Sequence, residues 1–501
     1  MTSRNDSQTP APASAPAPAS APAPDAAGAA DAAAEPGGAP DTAAEPGGAP
    51  DTAGAAAGGL AAGGAPRTSW LQLGVVSAGS FVTWIGFGAI IPYLPIFLKE
   101  QAHSSMLMIG VVASMFYLGT LLFSSPLGWL SDTIGRKPVM VAGAALYTVA
   151  LLLFTTTTDP YWFVLFRLLE GIGTAAFGPA AQAFVADITT EENRSKAYGF
   201  LTTAQFGGLI LGPAIAAPLY NLVGGGKDGF YAIFYVGAAL SALSLIAVIA
   251  FVREPAALKV RRAQRRHDIE RPGGTGKAGR PPLRTIMTPA ITAFVIIAFT
   301  SHYAMGAFDV VWSLWLEHLG ASMAFIGLTW IAFSVPMLLS FVGGIAADRY
   351  SRYWLFVGGY TFSAFAWIFY GVTTNMTLFI IVNALEGLAI AFSYPAKQAL
   401  LIQASPRRWI GTVTGVEATA MQAAGLLGSL TAPILYGWIS GYVLALGGAI
   451  NLIGLTIAAP ILHREWKRLK TSGPMPRQAE LERIGDESRP AAACQPPHGM
   501  E

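Results

Sequence analysis

Between residues 70 and 462 the chain alternates long apolar runs with short polar connectors. Twelve runs stand out, over roughly 70–94, 106–130, 138–157, 161–186, 197–222, 230–252, 287–314, 324–346, 354–373, 377–403, 410–437 and 442–462. About 20 mostly apolar residues suffice to cross a bilayer as a helix. The pattern therefore predicts an all-α integral membrane protein of twelve spanning helices. One long connector, residues 253–286, divides them six and six, into bundles over 70–252 and 287–462.

Composition sharpens this picture. Of 501 residues 53% are hydrophobic and 12% charged, against about 25% charged in soluble chains. Among 31 Lys and Arg, only Lys99 and Lys227 fall in connectors on one side, and Arg167 and Lys397 fall inside apolar runs. Nearly all the others sit in connectors and tails on the opposite side. That asymmetry makes the basic side cytoplasmic, with both termini there, in the plasma or inner membrane. Residues 1–69, with their Ala-Pro-Ser text and AAEPGGAPDT repeat, are expected to be a disordered tail. Residues 463–501 form a second cytoplasmic tail. No signal-peptide core precedes Trp70, so the first span is expected to serve as its own insertion signal. The single cysteine, Cys494, cannot form an intramolecular disulfide.

Two glycine-rich stretches look like nucleotide sites and fail on inspection. GGTGKA at 273–278 lacks the leading glycine and the Ser or Thr after lysine, and Gly171–Gly173 lies within an apolar run. No His, Cys and carboxylate set has metal-ligand spacing. The expectation is a chain that is not an enzyme, with no cofactor, no metal, no ATP and no nucleic-acid partner. Its partners are a small-molecule substrate, protons and the lipid bilayer.

The strongest organisational signal is internal repetition. GWLSDTIGR at 128–136 matches GIAADRYSR at 344–352, an offset of 216 residues. The same offset relates LEGIG (169–173) to LEGLA (385–389), PAAQA (179–183) to PAKQA (395–399), and Tyr220 to Tyr436. Two copies of a six-helix bundle, packed about an axis along the membrane normal, are expected to enclose a central cavity and to rock around it.

With these motifs the chain resembles the major facilitator superfamily over residues 70–462. GWLSDTIGRK fits that family's G-x-L-x-D-x-x-G-R-K signature between spans two and three. FRLLEGIGTAA (166–176) is similar to its span-four R-x-x-x-G-x-G pattern. GLILGPAIAA (208–217) is similar to the G-x-x-x-G-P-x-x-G-G pattern of its proton-coupled drug antiporters, with Ala216 and Ala217 for the last two glycines. In the first motif Gly128 is expected to let span two approach a neighbour, and Gly135 to take a positive-φ turn. Asp132 and Arg136, four apart, can pair, with Asp187 as a second partner. The resemblance implies a cytoplasmic gate of Gly128, Asp132, Gly135, Arg136, Lys137 and Asp187, pressing on the start of span eleven near Gly411–Thr414. The second copy, Asp348 and Arg352, is expected to be looser. Gly208, Gly212 and Pro213 read either as close helix packing or as the hinge and seal of an antiporter.

An ionisable residue at bilayer depth costs about 2.5–3.5 kcal/mol or more, so each needs a reason. Span four carries Arg167 and Glu170 on one face. Span ten carries Asn383, Glu386 and Lys397, the last two on one face. Span seven carries His302 and Asp309, also on one face. One reading makes Arg167, Glu170, His302, Asp309, Glu386 and Lys397 a proton and substrate relay. The other makes Arg167–Glu170 a static pair, lets Lys397 snorkel to the interface, and leaves Asp309 near the outer surface. Glu417 reads as an interlocking residue near the gate. The function that follows is secondary active transport by alternating access, with proton-coupled export of lipophilic or cationic drug-like compounds foremost. The alternatives are a sugar, glycolipid or other metabolite transporter of the same fold, or a non-transporting sensor.

Overall fold

The spanning helices begin where a side chain can take up orphaned amide groups. The computed structural model describes residues 69–254, 286–406 and 409–472. Expectations for most of both tails, for the linker, for GGTGKA and for Cys494 fall on residues outside these. Ser105, Asp159, Thr288, Ser322 and Asn375 each accept a hydrogen bond from an amide in the first turn that follows, as N-caps do. Among the described residues twelve helices are long and apolar enough to cross a membrane. They are α1 (Trp70–Glu100), α2 (Met106–Ile134), α3 (Arg136–Leu153), α4 (Pro160–Ile188), α5 (Lys196–Leu222) and α6 (Gly226–Phe251). The second six are α7 (Pro289–His318), α8 (Met323–Arg349), α9 (Arg352–Val372), α10 (Met376–Ala404), α11 (Ile410–Ile439) and α12 (Tyr442–Arg468). Turns interrupt α1 at residues 91–93, around Pro92, and α8 at 338–339, just after Pro336, where proline removes a helical donor.

Packing repeats as the sequence does. In the first bundle α1 packs on α5 and α6, α2 on α4, and α3 on α4 and α6. In the second, α7 packs on α11 and α12, α8 on α10, and α9 on α10 and α12. The bundles meet through two equivalent pairs, α2 with α11 and α5 with α8. A two-fold relation between the halves generates each pair from the other. Gly212 shows how the tight packing is achieved, since a Cβ there would collide with the α1 backbone at Gly88. Close packing is thus what Gly208 and Gly212 do in this structure. Its counterpart Gly428 meets the α7 backbone at Tyr303 in the same way.

The two ends of the molecule differ. At the end away from the 128–138 connector, one apolar cluster takes residues from both bundles, among them Phe97, Phe163, Trp312 and Leu316. At the connector end there are two clusters. One belongs to the first bundle, around Phe184 and Leu201, and one to the second, around Phe294 and Phe356. The bundles are fused at the far end and parted at the connector end.

Candidate functional site

The connector between α2 and α3 turns on Gly135, at φ +132°, a conformation open to glycine at little cost. The turn sets Arg136 at the start of α3 among three acceptors. Its guanidinium lies 2.5 Å from Asp132 Oδ1, 3.1 Å from Asp187 Oδ2 and 2.7 Å from Ser131 Oγ. Lys137 donates its backbone N–H to Glu254 and its ammonium to the Ile249 carbonyl of α6, at 3.1 and 2.6 Å. The network thus joins α2, α3, α4 and the end of α6, all in one bundle. Two expectations are corrected here. Gly128 makes no close approach, because nothing lies within 4 Å of where its Cβ would be. Among the described residues no ion pair or hydrogen bond joins this network to α11 either; Gly411 is equally open, and Thr414 Oγ1 donates to Ile410 within its own helix at 3.0 Å. In the second copy Arg352 lies 2.8 Å from Asp348, which is 72% exposed. Gln403 stands at the position equivalent to Asp187, so the third member of the network is missing.

The far end closes with polar contacts between bundles that the sequence reading did not foresee. Lys99, at the end of α1, lies 2.7 Å from Glu317 at the end of α7. Tyr93 donates to the Met323 carbonyl at 3.3 Å. Deeper, Tyr117 of α2 donates to Asp309 of α7. Asp309 is half-buried at the bundle boundary, not out at the surface. It shares a small cleft with Arg167.

The remaining membrane charges sort into separate sites. Arg167 and Glu170 pair at 2.7 Å, both buried. The guanidinium also stacks on Phe116, 4.7 Å from the ring centre. Glu386 accepts three bonds from α9, from Ser363 at 2.6 Å, Tyr370 at 2.9 Å and Trp367. Lys397 is 1% exposed and lies 2.7 Å from Glu417 of α11. This corrects two expectations. Lys397 does not snorkel, and Glu417 is buried in the second bundle rather than placed at the gate. Lys397 also stands apart from Glu386, each held by a different helix. Nor do His302 and Asp309 meet. The His302 ring bonds to Ala298 and Ser301 of its own helix, while Asp309 turns to α2. Eleven and seven residues put side chains on one face but two or three turns apart, too far for contact.

A cavity of about 270 Å³ lies midway along the first bundle, on the connector side of Arg167. Trp84, Phe87, Phe116, Tyr147 and Phe177 give it aromatic walls. Gln182, Gln205 and, from the second bundle, Gln422 supply amides. No charged side chain lines it. Such a surface suits an apolar solute with a few hydrogen-bonding groups.

Residues 76–304 match the Major Facilitator Superfamily model, and residues 210–444 match that of the MFS_1 like family. The chain belongs to the major facilitator superfamily. It is 27% identical over 402 residues to Multidrug resistance protein 2 of Bacillus subtilis (strain 168), covering 78% of this chain and 94% of that one. It is 26% identical over 404 residues to the class C tetracycline resistance protein of Escherichia coli, covering 77% and 94%. Among solved structures it is similar to the D-xylose–proton symporter, with a TM-score of 0.63 at 17% identity, over 78% of this chain and 97% of that one.

As a facilitator it is a multi-pass transporter, and it resembles the drug antiporters of that superfamily. The sequence reading missed Gln182, Gln205 and Gln422. The available signal was three amides within otherwise apolar runs. Tyr117 and Tyr147 gave no signal, since tyrosine is ordinary in such helices.

Proposed function

We propose that this facilitator exports lipophilic or cationic drug-like compounds in exchange for protons, with its connector end in the cytoplasm. The observation that carries the reading is the uncharged aromatic and amide cavity set beside the buried Arg167–Glu170 pair, in bundles parted at the connector end. Phe116 links the two, lining the cavity and carrying the guanidinium on its ring. A proton arriving on Glu170 would release Arg167. Arg167 already faces Asp309 across the bundle boundary, and its Nε has no hydrogen-bond partner. Proton loading would thus be felt at the contact that holds the far end shut. The names of the multidrug and tetracycline resistance relatives support the choice of cargo, and the basic connectors support the orientation.

The test is proton movement in inside-out vesicles under an imposed pH gradient, with a panel of lipophilic cations, for the native chain and Glu170→Gln. Collapse of the gradient by a compound with the native chain alone supports both antiport and the role of Glu170. Collapse that survives the substitution keeps antiport and moves the proton elsewhere. A panel that moves no protons sinks drug export and brings the metabolite reading forward.

A further inference from the structure

The 216-residue offset sets Glu386 opposite Glu170 and Asn383 opposite Arg167. The second bundle has therefore kept the buried acid and lost its counter-charge. What replaces it is a set of neutral donors. Trp367 and Tyr370, which bond Glu386, stand where the first bundle has Leu151 and Phe154. Glu386 is 3% exposed, and among the described residues no cation lies within ion-pair distance of it. A carboxylate offers about four acceptor positions. Ser363, Trp367 and Tyr370 fill three, leaving one on Oε2. Asn383, one turn away, gives its Nδ2 to the Phe379 carbonyl at 2.8 Å and leaves Oδ1 buried without a donor.

Glu386 and Asn383 both line a small pocket walled by Phe308, Trp312, Trp330, Phe333 and Trp367. Aromatic faces attract cations electrostatically, and a buried charge with no partner is expensive. We propose that this pocket, resting on the export reading above, is a seat for the primary ammonium group of a cationic cargo, and that a proton and that ammonium exclude one another on Glu386. The size of the seat sets the class of head group. Its free space is about 20 Å³, enough for one water-sized group, which admits –NH₃⁺ and rejects trimethylammonium. The ammonium would give one N–H to Oε2 and one to Asn383 Oδ1, with its alkyl chain leaving past the half-buried Met305 and Phe333. The other ionisable groups nearby do not compete for the seat. Tyr370 of α9 already donates to Glu386. On α7, His302 bonds within its own helix and Asp309 accepts from Tyr117. The wall from α8 is Trp330 and Phe333.

The experiment uses the purified full-length protein in detergent, with n-octylammonium, n-octyltrimethylammonium and n-octanol as probes. Affinity and heat are read by calorimetry in buffers of different ionisation enthalpy, alongside the emission of the pocket tryptophans. Expected is binding of octylammonium about tenfold or more tighter than either other probe, weakening as pH falls and releasing a proton. Glu386→Gln should reduce octylammonium to the level of octanol and abolish proton release. If Glu386→Gln lowers the thermal midpoint, Asn383→Leu decides, since it keeps the carboxylate and removes only the second acceptor. It should weaken octylammonium several-fold and spare octanol. Equal affinity for the primary and quaternary heads, or octylammonium binding indifferent to both substitutions, overturns the seat. Failure of the vesicle panel with octylammonium binding intact would instead overturn the export reading and leave the seat standing.

Discussion

The Tyr117 hydroxyl donates to the Asp309 carboxylate across the boundary between the two bundles. The Tyr117 ring lies where a Cβ on Gly425 of α11 would have to go. Tyrosine and glycine together make a bolt and its notch. Tyr117→Phe keeps the ring and removes the bond, leaving a half-buried carboxylate short of a donor, at a cost of about 1–3 kcal/mol. The far-end-closed form should lose that much relative to its alternative. Spin labels at the exposed positions Thr158 and Thr374, in a Cys494→Ser background, should gain a longer distance component. An unchanged distribution would mean that the bond does not help hold the far end.

Lys99 and Glu317 tie the same end by charge, and both are partly exposed. Such a pair is worth about 0–1 kcal/mol, so either neutral substitution should have a small effect on transport. Charge reversal is the sharper test. Lys99→Glu and Glu317→Lys, singly, set like charges together and should favour the far-end-open form. The double reversal should restore the native distance distribution; a double variant no closer to native than the singles would mean the two residues act apart.

The Lys397–Glu417 pair is buried in the second bundle, whereas the first bundle has Ala181 and Leu201 at the equivalent positions, both buried. Removing one member strands a buried charge and should cost about 3–5 kcal/mol. Lys397→Ala and Glu417→Leu together copy the first bundle and should recover most of that loss, read as thermal unfolding in detergent. Additive losses in the double variant would show that the two charges are not coupled.

Gly212 and Gly128 make a contrasting pair. Gly212→Ala presses a methyl group into the α1 backbone, and overpacking of this kind costs about 1–3 kcal/mol. Gly128→Ala meets nothing within 4 Å and should leave the thermal midpoint unchanged. If Gly128→Ala nonetheless slows transport, the close approach expected of Gly128 belongs to the far-end-open form, where the gate would meet α11.

Most of the helical plan was legible in the sequence because length and apolarity alone report a span. The constant offset of 216 residues reported the duplication. The facing of side chains was not legible. Helices apolar on all sides carry no amphipathic stripe to orient them, so Lys397 could be placed on α10 but not directed to Glu417 on α11. A shared face is not a contact. Glu386 and Lys397 do share a face of α10, yet each is held by a different neighbouring helix, α9 and α11. Gly128 failed otherwise: its motif is legible, but nothing lies within 4 Å of where its Cβ would be.

The single apolar cluster at the far end also gives the transport cycle a thermal character. Opening that end exposes to water surface that the cluster now keeps dry, while closing the connector end buries surface elsewhere. Wherever the two areas differ, the two forms differ in heat capacity. The attraction between apolar surfaces is entropic near room temperature and weakens on cooling. The form with the larger dry area is then the one that warmth favours, and the resting orientation of the molecule becomes a function of temperature.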